Sequence, residues 1–181
     1  MNESRNTFGQ AYALTVLTPI LEGRETSLAH YLQALLGGSA SPLASVPGTH
    51  FARWVVIGDV VYEGKGKRDH LQLARLLFTS NFDGSLDAYL ESLRIGLAGA
   101  VDAIWGHCAG YPGGEDSAAF AAYIRAHQIE SSLFFSAYGD RTVEDVKDSL
   151  AVRRSIIEFA LAAQGMPPDE LQAAFEEAFP R

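Results

Sequence analysis

The most informative segment of the chain is residues 49–59, Thr-His-Phe-Ala-Arg-Trp-Val-Val-Ile-Gly-Asp. Its β-branched and aromatic residues predict a strand over about 50–61, whose alternation places Phe51, Arg53 and Val55 on one face. A similar run, Leu-Leu-Phe-Thr-Ser-Asn-Phe-Asp-Gly at 76–84, follows a charged loop. Two strands joined in this way predict a hairpin that carries polar groups into an apolar sheet. Such groups cost free energy when buried unless they are paired, so they require an explanation.

Outward from this hairpin, strand and helix patterns alternate along the chain. Further strands are predicted near 11–18 and 132–138, and the second strand of the hairpin near 75–82. With helices placed between them, the order reduces to β-α-β-β-α-β once the extra helices are set aside. We therefore predict an α+β fold of ferredoxin-like topology, an antiparallel four-stranded sheet with helices on one face and extra C-terminal helices.

The domain organisation follows from the same patterns. The polar residues 1–10 predict a flexible N-terminal tail, and residues 11–181 a single ferredoxin-like domain. Its last part, 142–181, is predicted to be a helical extension that begins with a capping-box-like pair, Thr142 and Asp145. Gly96 and Gly99 interrupt a long helical pattern and predict either close packing or a break.

Composition excludes several classes of protein. The chain has 181 residues and a net charge of −8, with 22 acidic residues against 14 Lys and Arg. This balance disfavours nucleic acid and anionic lipid surfaces as partners. The single cysteine allows no intramolecular disulfide. Because the sequence shows no signal-peptide pattern and no apolar run of membrane-spanning length, we expect a cytoplasmic protein without membrane insertion.

Candidate binding residues lie on the predicted hairpin. Alternation brings Arg53 near Thr79 and Asn81, with Asp83 one step beyond. A guanidinium at this place could hold the carboxylate of a ligand. The alternative is a structural Arg-Asp pair. Either interpretation predicts that Arg53 is substantially buried and paired.

Candidate catalytic residues are His50, Asp83, His107 and Cys108. His50 could act as a base or a metal ligand, and its alternative is a hydrogen-bonded structural histidine. The imidazole of His107 could activate the neighbouring thiol of Cys108; the alternative is an inert, buried thiol at the end of the long helix. No Cys/His spacing predicts a metal site, and no motif predicts a cofactor.

The strands are apolar on both faces, as Trp54, Val56, Phe134 and Phe135 illustrate. Helices of a ferredoxin-like unit cover only one face of the sheet. An uncovered apolar sheet promotes aggregation, so the other face needs a second subunit or the helices after Thr142. Closed two-fold assemblies are common, and we therefore predict a homodimer.

Three motifs resemble an uncharacterised bacterial family of ferredoxin-like domains: His-Phe-Ala-Arg-Trp at 50–54, Leu-Phe-Thr-Ser-Asn-Phe-Asp-Gly at 77–84, and His-Cys-Ala-Gly-Tyr-Pro at 107–112. The segments Ser-Ala-Tyr at 136–138 and Arg-Thr-Val at 141–143 fit as well. This resemblance covers about residues 11–160 and implies no established reaction. We add Tyr138 to the candidate ligand-binding residues.

The architecture is more distantly similar to the dimeric α+β barrel superfamily, which includes dye-decolorising peroxidases. Those enzymes carry a Gly-x-x-Asp-Gly motif, and this chain has Asp83-Gly84 in a segment that begins with Ser80. Three functions stay open. The first is a protein that binds a hydrophobic or carboxylate-bearing small molecule, with a part in oxidative or lipid-like metabolism as an accessory enzyme. The second is a haem-dependent peroxidase-like enzyme with His50 or His107 as axial ligand. The third is a non-catalytic protein-interaction module.

Overall fold

A computed structural model describes residues 5–35, 40–59, 64 and 70–179 of the chain. Within these residues the backbone forms four strands and six α-helices. In chain order they are β1 (Thr7–Phe8), β2 (Ala11–Pro19), α1 (Glu25–Ala34), β3 (Thr49–Ile57), β4 (Arg75–Asp83), α2 (Leu86–Leu97), α3 (Gly99–Trp105), α4 (Ser117–Ala126), α5 (Val143–Ala162) and α6 (Pro168–Ala178). The chain divides into two compact units, Met1–Asp140 and Arg141–Arg181. The boundary is next to residue 142, where the helical extension was predicted to begin.

The first unit contains an antiparallel sheet with the strand order β1-β2-β4-β3. β2 pairs with β4 over its whole length, from Ala11 opposite Asp83 to Pro19 opposite Arg75. Across β4, the hairpin partner β3 pairs antiparallel as predicted. The predicted α+β class and the four-stranded antiparallel sheet are confirmed. Residues 60–61, the predicted end of β3, lie outside the described residues.

The fourth strand is not where the sequence predicted it. Residues 132–138 form no strand, and Thr7–Phe8, in the predicted flexible tail, pair with β2 instead. Beyond β1, the same edge of β2 is completed by isolated bridges from Gln128 to Val16 and from Cys108 to Ile20. Residues 127–129, which follow α4, hydrogen-bond Thr15 and Leu17 on this edge. The backbone groups with which segment 132–138 would have to pair are therefore already occupied.

The long helical pattern predicted after residue 85 is divided in two. The N-cap of α2 is Ser85, whose hydroxyl accepts a hydrogen bond from the amide of Ala88. α2 ends at Ala98, whose φ of 44° lies in the left-handed region. Gly96 packs against residues 45–46, where an added Cβ would lie 3.0 Å from the Val46 side chain. Both features foreseen from the glycines, close packing and a break, therefore occur.

The core lies between the helices and one face of the sheet. Even-numbered residues of β2 and β4 point into it. The even-numbered residues of β3, Ala52, Trp54 and Val56, are half-buried at its edge. Trp54 stacks on Phe78 with ring centroids 5.1 Å apart, and Trp105 meets Phe78 edge-on at 5.4 Å. Burial of such large aromatic side chains dominates the stability of a domain of this size.

The second unit is a pair of helices. α5 begins with the predicted capping box, in which Thr142 and Asp145 exchange hydrogen bonds. It contacts α6 through an aromatic cluster of Phe159, Phe175 and Phe179. No residue of α5 or α6 is buried. Among the described residues of both units, none of the helices combines the length and apolarity needed to cross a membrane.

Candidate functional site on the open face of the sheet

The face of the sheet opposite the core is open, and we call it the open face. Odd-numbered residues of the three long strands form it, and strand pairing arranges them in rows across the sheet. From one end these rows are Ala13-Asn81-Phe51, Thr15-Thr79-Arg53, Leu17-Leu77-Val55 and Pro19-Arg75-Ile57. Phe51 is 77% exposed and Val55 41%, whereas Phe78 and Phe82 on the core face are fully buried. The polar row Thr15-Thr79-Arg53 thus carries a cation and lies next to the apolar row Leu17-Leu77-Val55.

Arg53 is exposed, so the prediction that it is substantially buried is wrong. Its Nε donates a hydrogen bond to Thr79 Oγ1 at 3.2 Å, directly across the strand pair. It does not pair with Asp83 because that carboxylate lies two rows farther along β4. Asn81 occupies the row between them, opposite Phe51. The structure therefore gathers Arg53, Thr79 and Asn81 on one surface, as predicted, but leaves that surface open.

His50 is the extra residue of a β-bulge. Thr49 lies opposite Phe82 and Phe51 opposite Asn81, so β4 has no residue to match position 50. The bulge turns the side chain of His50 toward Asp83, which follows Thr79 and Asn81 in the odd-numbered series of β4. His50 Nε2 lies 2.7 Å from Asp83 Oδ1, and both side chains are partly buried. Bulges re-aim side chains in this way and are common beside functional sites.

Thr49, the other residue of the bulge, points toward the core. Its hydroxyl lies 3.4 Å from the hydroxyl of Tyr89, which also hydrogen-bonds Ser80 at 2.6 Å. Burial raises the pKa of Tyr89, and the two hydroxyl partners partly oppose that rise. This buried network holds the start of β3 against α2, which supports the bulge from beneath.

The other two catalytic candidates lie at the far end of β2. Cys108 is buried, as predicted, but it follows α3 in a bridge to Ile20 rather than ending the helix. Thr18 donates a hydrogen bond to its Sγ at 3.3 Å, and burial raises the pKa of the thiol. Within the described residues no hydrogen bond joins Cys108 to His107, whose buried Nδ1 has no partner there. The nucleophile interpretation therefore gains no geometric support.

Tyr138 lies apart from the other ligand-binding candidates. It is 70% exposed and precedes Gly139, whose carbonyl accepts a hydrogen bond from Gln10 beside β1. β1 and β3 are the two opposite edges of the sheet, so Tyr138 and Arg53 belong to different edges. The structure does not bring Tyr138 into the group formed by Arg53, Thr79 and Asn81.

A second polar cluster, which the sequence did not indicate, borders an open groove of about 260 Å³ beside the α2–α3 junction. Arg94 binds Glu91 through two nitrogens and also donates to the carbonyl of Gly114. The hydrogen bonds from Arg94 and Ser117 lower the pKa of Glu91 to about 2. Asp102 accepts from Tyr111 and from the Gly114 amide. Because these groups already bind one another, the cluster fastens the 110–114 loop to the helices.

No known family model, curated protein or solved structure matches this chain. The resemblances drawn from the motifs therefore stay predictions. Function has to be argued from the open face itself.

Proposed function

We propose that the protein binds a small carboxylate-bearing molecule with an apolar body on the open face, beneath a second copy of the chain. The observation that carries this proposal is the Arg53 guanidinium, exposed on the edge strand β3 between Phe51 and Val55 and bound through Nε to Thr79. Within the described residues this is the one side-chain hydrogen bond of Arg53, so its two terminal nitrogens are available to a ligand. Those nitrogens are the pair that binds a carboxylate in a bidentate manner.

The rows beside Arg53 indicate the rest of the molecule. Leu17, Leu77 and Val55 form an apolar row on one side, and Phe51 stands on the other. Apolar surface of this kind favours an alkyl or aryl body, because each buried Å² contributes roughly 25 cal/mol. An amphipathic anion therefore fits the open face better than a small polar ion. Binding alone needs no catalytic step, so a part as an accessory enzyme in oxidative or lipid-like metabolism stays an expectation from the resemblance.

A flat sheet cannot enclose a ligand by itself. A second copy placed on the open face would cover the molecule and would bury Phe51 and Val55 at the same time. Closed two-fold assembly is the commonest arrangement of soluble oligomers, and an interface of this kind is self-complementary. The homodimer predicted from the sequence is in this proposal the second wall of the binding site.

The exposure of Phe51 also favours a second function, a protein-interaction module. A large aromatic side chain that is 77% exposed, beside Val55, is typical of a surface that contacts another protein. On that alternative the open face binds an apolar surface of a partner, and Arg53 contributes to the polar rim rather than to a ligand.

Calorimetric titration with decanoate tests small-molecule binding directly. We expect wild-type protein to bind decanoate and Arg53→Met to bind it at least about tenfold more weakly, as expected for a lost charged hydrogen bond. Arg75→Met is the matched control, since it removes a second arginine from the open face two rows away from Arg53. It should bind as the wild type does.

Two outcomes would count against small-molecule binding. If Arg53→Met and wild type bind equally, decanoate sits elsewhere. If wild type binds no decanoate but self-associates or captures an apolar partner surface through Phe51, the interaction module is the better description.

A further inference from the structure

The His50 imidazole presents one ring nitrogen that the fold does not use. A carboxylate without a proton can only accept, so the contact between His50 Nε2 and Asp83 Oδ1 assigns the ring proton to Nε2. In the neutral imidazole Nδ1 is then an acceptor. Within the described residues, no hydrogen bond reaches Nδ1. A carboxylate that fixes the tautomer and orientation of a histidine leaves its other nitrogen set for one kind of partner, a proton donor.

His50 contacts the same face of β4 as the cation of the proposed ligand site. Thr79, Asn81 and Asp83 alternate along one face of β4, with Arg53 beside Thr79 and His50 beside Asp83. His50 and Arg53 are three residues apart on β3, so their backbones are separated by about 10 Å. The row Ala13-Asn81-Phe51 lies between them, with a small and a large apolar residue on the two sides of Asn81.

We propose that His50, oriented by Asp83, recognises a hydroxyl group at the end of the ligand opposite its carboxylate. The inference rests on the proposed function, because it takes the carboxylate at Arg53 as the first anchor. The ligand class is thus a long-chain or aryl-extended carboxylic acid with a distal hydroxyl. The bulge supplies this second anchor, since a regular strand would direct residue 50 to the other face.

Other roles for the pair His50 and Asp83, called the dyad below, fit the surroundings less well. A metal centre needs further ligands, and the described residues contain no group of three or more His, Cys, Asp or Glu placed to hold a metal ion. A nucleophile activated by the imidazole would have to lie next to His50, but the hydroxyl of Thr49 points toward Tyr89. Acceptance of a hydrogen bond from a ligand requires only His50 Nδ1 and no further protein group.

The test compares three probes that differ at one end: decanoate, 10-hydroxydecanoate and 10-methoxydecanoate. Calorimetric titration is carried out above the pH range in which imidazoles ordinarily titrate. We expect wild type to bind the hydroxy acid about threefold to tenfold more tightly than decanoate, as for one neutral hydrogen bond. The methyl ether cannot donate and should gain nothing. A hydroxyl group makes the probe more soluble in water, so unspecific apolar binding would favour decanoate instead.

Variants assign the preference to the dyad. His50→Phe keeps an aromatic ring but removes the acceptor, and it should bind the hydroxy acid no better than decanoate. His50→Gln keeps an acceptor oxygen and should retain part of the preference. Arg53→Met should weaken binding of both acids by the same factor and leave their ratio unchanged.

The wild-type protein alone can overturn the inference. Equal affinity for decanoate and the hydroxy acid, or an ether that binds as tightly as the hydroxy acid, would remove the role of His50 and leave the carboxylate site standing. A preference that survives in His50→Phe would do the same. Failure of all three probes to bind would overturn the proposed function together with the inference.

Discussion

The hydroxyl of Thr18 donates a hydrogen bond to the sulfur of Cys108 across 3.3 Å, deep inside the first unit. Burial raises the pKa of this thiol, so the reactive thiolate is scarce near neutral pH. We expect a thiol reagent to label folded protein slowly and to label protein unfolded in denaturant rapidly. Labelling of the folded protein within seconds would show an accessible thiolate and would revive a nucleophilic role for Cys108.

Replacement of Ala98 by glycine is predicted to stabilise the fold. The φ of 44° at Ala98 is strained for a residue with a Cβ, and its side chain is exposed. Ala98→Gly should therefore raise the free energy of unfolding by about 1 kcal/mol, which is the relief of strain less the entropy cost of glycine. Ala103→Gly, inside α3, should lower it by about 1 kcal/mol. Chemical denaturation measures both, and a destabilised Ala98→Gly would disprove the strain.

The two faces of the sheet should respond differently to truncation. Phe82 is fully buried and Phe51 is 77% exposed, although they belong to neighbouring strands. Phe82→Ala should cost about 3–5 kcal/mol of unfolding free energy, and Phe51→Ala should change it by less than about 0.5 kcal/mol in a dilute, monomeric sample. A large loss for Phe51→Ala under those conditions would mean that the open face is covered within the single chain.

A second copy on the open face should double the molecular mass in solution, and a charge at Phe51 should abolish the dimer. Light scattering at micromolar concentration should give the mass of a dimer for wild type and of a monomer for Phe51→Asp, because a carboxylate buried in an apolar interface is costly. Ile95→Asp is the control, since Ile95 is similarly exposed at 62% but lies on α2. A wild-type monomer would contradict the covered face, and equal effects of both variants would contradict its location.

Acid should release the contribution of Glu91. Its pKa falls from an ordinary 4.5 to about 2, chiefly through Arg94. A carboxyl group with a lowered folded pKa contributes stability above its unfolded pKa, and this contribution is lost as pH falls toward the folded value. Glu91→Gln should therefore be less stable than wild type above about pH 5, and the difference should vanish near about pH 2. Equal stability of wild type and Glu91→Gln at pH 7 would contradict a stabilising role of this carboxylate.

The long strands could be predicted because their physical signal is local. Alternation over nine residues and the surrounding turn residues placed β2, β3 and β4 within a few residues of their observed bounds. Thr7–Phe8 is too short to show any period, so β1 could not be distinguished from a tail. Segment 132–138 has strand composition, but its pairing depended on whether the edge of β2 was still free, which is a tertiary property.

Contacts between regularly paired strands could be predicted, whereas the contact made by the bulge could not. Alternation alone brought Arg53 next to Thr79, and that contact is present. The bulge at His50 shifts the facing of one residue, and nothing in the local sequence marks the shift. Consequently His50 and Asp83, both chosen as candidates, were not predicted to meet.

The edge of β2 is closed by three short segments, at Thr7–Phe8, Gln128 and Cys108, in place of one continuous strand. β1 precedes β2 in the chain, Cys108 follows α3 and Gln128 follows α4, so the three segments are attached to different elements. An incoming strand from another molecule would have to displace several independently anchored pieces before it could extend the sheet. A patched edge of this kind resists the strand addition that leads to fibrils, and it directs any association of this protein toward the opposite edge or the open face.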